Sequence, residues 1–79
     1  MALTPAIIID TIRGFSGLEM EADDDTPLFS SGALDSVAML NLIAFVEERT
    51  GIEIRADEVT LDNFDTPARI SRFALERAA

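Results

Sequence analysis

The 79-residue sequence predicts an all-α fold: a small four-helix bundle of three longer helices and one short helix, with a long loop between the first and second. Three observations predict it. Apolar residues recur at helical spacing in three separate stretches. The pair Thr-Pro occurs twice, at Thr4-Pro5 and Thr66-Pro67, each just ahead of such a stretch. Residues 36–50 contain neither glycine nor proline.

The first helix is expected at about 5–16. Thr4 is suited to the N-cap and Pro5 to the first helical position, where its missing N–H costs nothing. Ile8, Ile12 and Phe15 fall on one face, with Ile9 beside it. Gly14 weakens this helix and Gly17 is a C-cap candidate. Residues 17–34 read as a loop, rich in turn residues: Gly17, Asp23, Asp24, Asp25, Pro27, Ser30, Ser31 and Gly32. A loop of that length is usually functional or pinned by its own side chains, and Leu28 and Phe29 are the expected pins.

The second helix runs from 36 to about 50. Met39, Leu42, Ile43 and Val46 give it an amphipathic core face. Asp35 or Ser36 can accept the unpaired N–H groups at its start, and Gly51 ends it. Ile52 and Ile54 alternate with Glu53 and Arg55, which reads as an extended linker rather than a strand. Thr60 can cap a short turn through Leu61 and Phe64. The last helix spans about 67–78, with Ile70, Phe73 and Ala74 facing inward. Helices packed around one core are the natural architecture, and residues 1–79 are read as one domain.

Composition narrows the function. The chain has no Cys and no His, so it lacks thiolate and imidazole ligands for zinc, iron or copper, and it has no Cys–His or Ser–His nucleophilic pair. No metal site and no catalytic constellation is expected, and the chain does not read as an enzyme. Fifteen carboxylates face six arginines, a formal charge of −9. That balance speaks against nucleic acid and against an anionic membrane surface, and favours partners with basic patches. Hydrophobic residues are 48% of the chain, too many for an acidic disordered tail. No apolar run is long enough to span a bilayer, and no basic region precedes the first apolar stretch as in a signal peptide. A cytoplasmic monomer without membrane insertion is the default expectation.

The stretch Leu28-Phe29-Ser30-Ser31-Gly32-Ala33-Leu34-Asp35-Ser36-Val37 carries the most information. A loop ends in Gly32, then Leu34, then Asp35-Ser36, and the strongest helix begins at once. A serine there offers a hydroxyl beside free backbone N–H groups, at the helix end whose dipole favours negative charge. Ser36 is therefore a good site for a phosphate ester. Read blandly, a serine before a helix is only a cap.

In these residues the chain resembles the acyl carrier protein family, with its peptidyl and aminoacyl relatives. The family signature is Gly, an apolar residue, then Asp-Ser and usually Leu, at the start of the second of four helices. Here it is Gly32, Leu34, Asp35, Ser36 and Val37. The resemblance extends to chain length, acidity, absent cysteine and helix order. It implies a fold of acyl-carrier-protein type and a 4′-phosphopantetheine arm on Ser36, transferred from coenzyme A by a phosphopantetheinyl transferase. The arm's thiol would hold an acyl or aminoacyl group as a thioester. The partners implied are that transferase, an acyl- or amino-acid-loading ligase, and downstream acyltransfer or condensing enzymes. Asp35 would belong to the transferase recognition motif; as plain structure it is a carboxylate well placed at a helix start.

The family's docking face on the second helix corresponds to Val37, Leu40, Asn41, Ala44, Glu47 and Glu48, with Ile54 beyond it. Ala38 and Asn41 stand where fatty-acid carriers commonly have acids, and Val37 and Leu40 make the front of the face apolar. Together with Asn63-Phe64-Asp65-Thr66-Pro67, this resembles the peptidyl or D-alanyl carriers more than the fatty-acid type. The pathways open to such a carrier are fatty-acid, polyketide, non-ribosomal peptide or D-alanyl transfer. Glu47 and Glu48 also read as an ordinary solvated helix end. The run Asp23-Asp24-Asp25 lacks the spaced ligands of a calcium loop and reads as a solvated acidic loop. The alternative to a carrier is an acidic helical interaction module that binds without modification.

Overall fold

The computed structural model describes residues 3–16 and 22–78, and among the described residues the regular secondary structure is all helical. Helix α1 spans Pro5–Ser16, α2 Ser36–Thr50, α3 Leu61–Phe64 and α4 Pro67–Ala78. A 3₁₀ turn at Ala56–Glu58 precedes α3. The three longer helices and the one short helix stand as the sequence predicts, and so does the loop over its described residues from 22 onward.

Local chemistry explains the ends. The Thr4 hydroxyl accepts the Ile7 N–H at 3.3 Å, and the Thr66 hydroxyl accepts that of Arg69 at 3.1 Å. Each Thr-Pro pair is thus an N-cap followed by a proline in the first turn. Gly51 stops α2 at φ 75°, with its N–H donated to the Glu47 carbonyl at 2.8 Å. That left-handed conformation is one glycine adopts without a Cβ clash. The C-cap expected at Gly17 and the side chain of Phe15 lie outside the described residues.

Helix α1 packs on α2 and α4, and α4 also meets α3 and α2. The core between them holds Ile8, Ile12, Leu28, Leu42, Val46, Phe64 and Ile70, all fully buried, with Phe73 and Ala74 completing the inner face of α4. The Phe64 and Phe73 rings meet at 5.2 Å between centroids, inclined by 52°, a favourable tilted geometry. Leu28 pins the long loop from within this core, and Phe29 packs half-buried against it.

Two local readings change. The buried stripe of α2 is Ala38, Leu42 and Val46, whereas Met39 and Ile43 are half-buried at its flank. Alanine carries little weight in a hydrophobic pattern, so the face reads as rotated from its true centre. Thr60 does stand at the N-cap of α3, but its hydroxyl makes no capping bond; its carbonyl accepts Asn63 and Phe64 instead. Residues 52–55 form the expected extended linker, and a 3₁₀ turn follows at Ala56–Glu58. That turn closes when Glu58 accepts the Arg55 N–H at 2.9 Å and the Arg77 guanidinium of α4 at 2.6 Å. Those bonds hold the Glu58 carboxyl below its ordinary value, the Arg55 N–H contributing most and Arg77 next.

Candidate functional site

The site is the junction between the long loop and α2. Asp35 is the N-cap, extended at φ −100°, and its Oδ1 accepts the Ala38 N–H at 2.9 Å. Its backbone carbonyl accepts the Met39 N–H at 3.1 Å. Of the two residues able to cap α2, Asp35 therefore does so. Ser36 becomes the first helical residue, exposed to solvent, with its hydroxyl bonded to no other described residue. Because Asp35 takes the third N–H of the turn, those of Ser36 and Val37 remain open at the positive end of a 15-residue helix.

The loop reaches this point through a compact set of bonds. Gly32 turns it at φ 81°, with its N–H donated to the Phe29 carbonyl at 3.0 Å. The Ser31 hydroxyl donates to the Pro27 carbonyl at 2.7 Å and accepts the Ala33 N–H at 3.3 Å. Leu34 is buried, and its N–H donates to the Leu28 carbonyl at 2.9 Å, closing residues 28–34 on themselves. A half-open cleft of about 420 Å³ lies along this junction, lined by Gly32, Ala33, Leu34, Asp35, Val37, Ala38 and Asn41. A Cβ on Gly32 would meet nothing within 4 Å, so the cleft is open on that side.

The outer face of α2 divides into two groups. Val37 is 63% and Leu40 68% exposed, and with exposed Asn41, Ala44 and Glu48 they form one stripe at helical spacing. Ala38 does not belong to that face. It is 5% exposed and part of the core, so its lack of charge says nothing about docking. Glu47 is half-buried, and its carboxylate accepts the Ile54 N–H at 2.8 Å, tying the linker to α2. Ile54 itself is half-buried against the core. These two residues stand apart from the exposed stripe.

In the sequence Asp65 stands only within Asn63-Phe64-Asp65-Thr66-Pro67, with no role of its own; the structure gives it one. This residue is buried, yet its carboxylate accepts three hydrogen bonds from Phe29 and Ser30 in the long loop. Burial pushes its carboxyl up, but the bonds from Ser30 and Phe29, with the nearby Arg69 charge, outweigh this and leave it below its ordinary value. A signal was present: in Asp65-Thr66-Pro67 the threonine already caps α4, so a second cap-type residue has no capping work left. Asp23-Asp24-Asp25 does make a turn. The Asp23 carboxylate accepts the Thr26 hydroxyl and the Asp25 N–H, bonds that lower its pKa in that order, and the Asp24 carbonyl accepts the Ala68 N–H at 2.9 Å. Among the described residues no cluster of three or more acids is arranged to hold a metal, and no helix is long and apolar enough to cross a membrane.

An exposed serine hydroxyl, open N–H groups and an adjoining cleft fit a phosphate ester with a chain attached. Residues 6–74 match the family described as "Phosphopantetheine attachment site". The chain is also similar to D-alanyl carrier protein 1 of Lactiplantibacillus plantarum, 30% identical over 67 residues, or 85% of this chain and 84% of that one. D-alanyl carrier protein 2 of the same organism is 28% identical over 82% of this chain and 81% of its own. The lincomycin biosynthesis protein LmbN of Streptomyces lincolnensis is 50% identical over 56 residues, which cover 71% of this chain but 20% of LmbN.

Proposed function

The chain belongs to the phosphopantetheine attachment-site family, whose covalent group is 4′-phosphopantetheine, and from that premise we propose that Ser36 is the attached residue and carries acyl or aminoacyl cargo. The observation that supports this most directly is the division of labour at the start of α2. Asp35 caps the helix, so the Ser36 hydroxyl is left exposed and uncommitted.

The arm supplies the thiol that the chain's own composition lacks, and cargo held on it is a thioester. The protein's residues contribute placement. The open N–H groups and the dipole of α2 favour the phosphodiester charge at Ser36 Oγ. The Asp35 carboxylate is occupied by Ala38 N–H, which aims it along the helix start rather than at the hydroxyl. The role is that of a carrier: the transferase and the loading ligase do the chemistry, and the tether raises the local concentration of cargo at each partner.

The exposed stripe of Val37, Leu40, Asn41, Ala44 and Glu48 is the proposed docking surface. It carries one acid and two large apolar residues, a composition suited to partners that bury apolar area more than to partners that read acids with arginine. Similarity to two D-alanyl carrier proteins favours the same direction, an aminoacyl or peptidyl cargo loaded by an adenylate-forming ligase.

Incubation with coenzyme A, Mg²⁺ and a broad-specificity phosphopantetheinyl transferase, followed by intact mass, tests the attachment. One added phosphopantetheine on wild type and none on Ser36→Ala is the expected result. A wild-type chain that stays unmodified while circular dichroism shows it folded would overturn the proposal and favour a non-covalent interaction module. For the cargo, the holo form should be loaded faster by an amino-acid ligase than by a malonyl transferase. The reverse order would return the chain to the fatty-acid type.

A further inference from the structure

The loop that leads to Ser36 is not held by its own residues alone. Asp65, at the corner between α3 and α4, is 6% exposed. Its Oδ1 accepts the N–H groups of Phe29 at 3.0 Å and Ser30 at 2.9 Å, and its Oδ2 accepts the Ser30 hydroxyl at 2.7 Å. Its backbone carbonyl accepts the Leu28 N–H at 2.6 Å. The corner around it is apolar, with Phe64, Pro67 and Ile70 fully buried. A buried carboxylate in such a place carries a desolvation cost that an apolar side chain would avoid. Thr66 already caps α4, so helix capping does not account for it. What the carboxylate does achieve is concentrated on two loop residues, immediately before the Gly32 turn and six positions ahead of Ser36.

We propose that Asp65 is a positioning residue for phosphopantetheine attachment: it clamps the loop at Phe29 and Ser30 and so presets the surface a transferase must recognise around Ser36. This rests on the reading of Ser36 as the attached residue. The clamp and the hydroxyl are held separately. The Ser36 backbone is fixed by the first turn of α2, which Asp35 caps, while residues 28–30 are tied to Asp65 from across the bundle. Without the clamp, the loop must be ordered each time the transferase binds, and ordering even one residue costs affinity. The reacting hydroxyl stays where it is. Loss of the clamp therefore appears in KM and leaves kcat nearly unchanged, the signature of an interaction equal in ground and transition states.

The test uses the full apo chain and one transferase, with steady-state loading measured for wild type, Asp65→Ala, Asp65→Asn and Ser30→Ala at a temperature where circular dichroism shows each fully folded. Asp65→Ala should raise KM about tenfold or more, the equivalent of about one ordered residue. Asp65→Asn keeps an oxygen acceptor and should recover part of that loss. Ser30→Ala removes one bond and should raise KM about two- to fourfold. In each, kcat should stay within about twofold. Hydrogen exchange should quicken at residues 29–34 and not in α1. A fully folded variant has no reduced concentration of substrate, so destabilisation alone cannot move KM. If Asp65→Ala does not fold, Asp65→Asn and Ser30→Ala decide. Wild-type KM in the folded variants would overturn the clamp alone, whereas an unmodified wild type would overturn the attachment reading on which it rests.

Discussion

Substituting Asp35 and Ser36 separately should divide capping from attachment. The Asp35 Oδ1 to Ala38 N–H bond of 2.9 Å is the side-chain cap of α2, the longest helix of the bundle. Removing such a cap typically costs about 1 kcal/mol, within a range of about 0.5–2. The Asp35 charge at the dipole's positive end adds about 0.3–1 kcal/mol, which Asp35→Asn would lose while keeping the cap. For a domain of this size, 1 kcal/mol corresponds to a Tm change of about 4–8 °C. Asp35→Ala is therefore expected to lower Tm by roughly 5–16 °C, allowing for both contributions. Ser36→Ala should lie within about 0.5 kcal/mol of wild type, because its exposed hydroxyl bonds no described residue. The assay is thermal unfolding by circular dichroism of the apo proteins side by side, with loading by mass as the second readout. A Ser36→Ala variant that melts as low as Asp35→Ala, or an Asp35→Ala variant that melts with wild type, would refute the assignment of the cap.

Other consequences follow from the same bonds. Asp65 and Glu58 both have carboxyls held below their ordinary range, so the stability they contribute is complete above about pH 5 and lost as pH falls through about 4 and below, where they bind protons. Falling pH also relieves the repulsion of a chain carrying −9, so Asp65→Asn compared with wild type in acid titrations by denaturant isolates the Asp65 share: the gap between them should shrink toward pH 3. Leu42→Ala, at a fully buried position on α2, should cost about 2–5 kcal/mol in urea unfolding. Gly51→Ala forces a Cβ into φ 75° and should cost about 1–2 kcal/mol in the same assay. Glu47→Ala strips the Ile54 N–H of its acceptor and should cost about 1–3 kcal/mol, whereas Glu47→Gln, which keeps an oxygen there, should cost less.

What could be read from the sequence was what local chemistry fixes. Thr4-Pro5, Thr66-Pro67 and Gly51 specify helix ends within a few residues, and the structure has each in its expected place. Leu28 and Phe29 stood out as apolar residues in a polar loop, and both are packed. The choice between Asp35 and Ser36 as cap could not be made from residue type, since both accept hydrogen bonds; only the backbone's path assigns the bond to Asp35. Ala38 escaped because a methyl group barely registers in a hydrophobic pattern, although its small volume suits a core face. Glu47 looked like a solvated end because its partner is a backbone N–H seven residues on, in a linker without periodicity. Asp65 was the furthest from local reach: its partners lie 35 and 36 residues earlier, and nothing in the spacing connects them.

That separation also orders events in time. A ribosome releases Phe29 and Ser30 long before Asp65, which at about 5–20 residues per second is synthesised about 2–7 s later. The Asp24 carbonyl, likewise, waits for the Ala68 N–H. During that interval the emerging loop has no clamp and α4 does not yet exist to cover the core. The surface around Ser36 is thus completed from the far end of the chain, and a nascent fragment ending before α3 would hold the serine motif in full without the framework that shapes it.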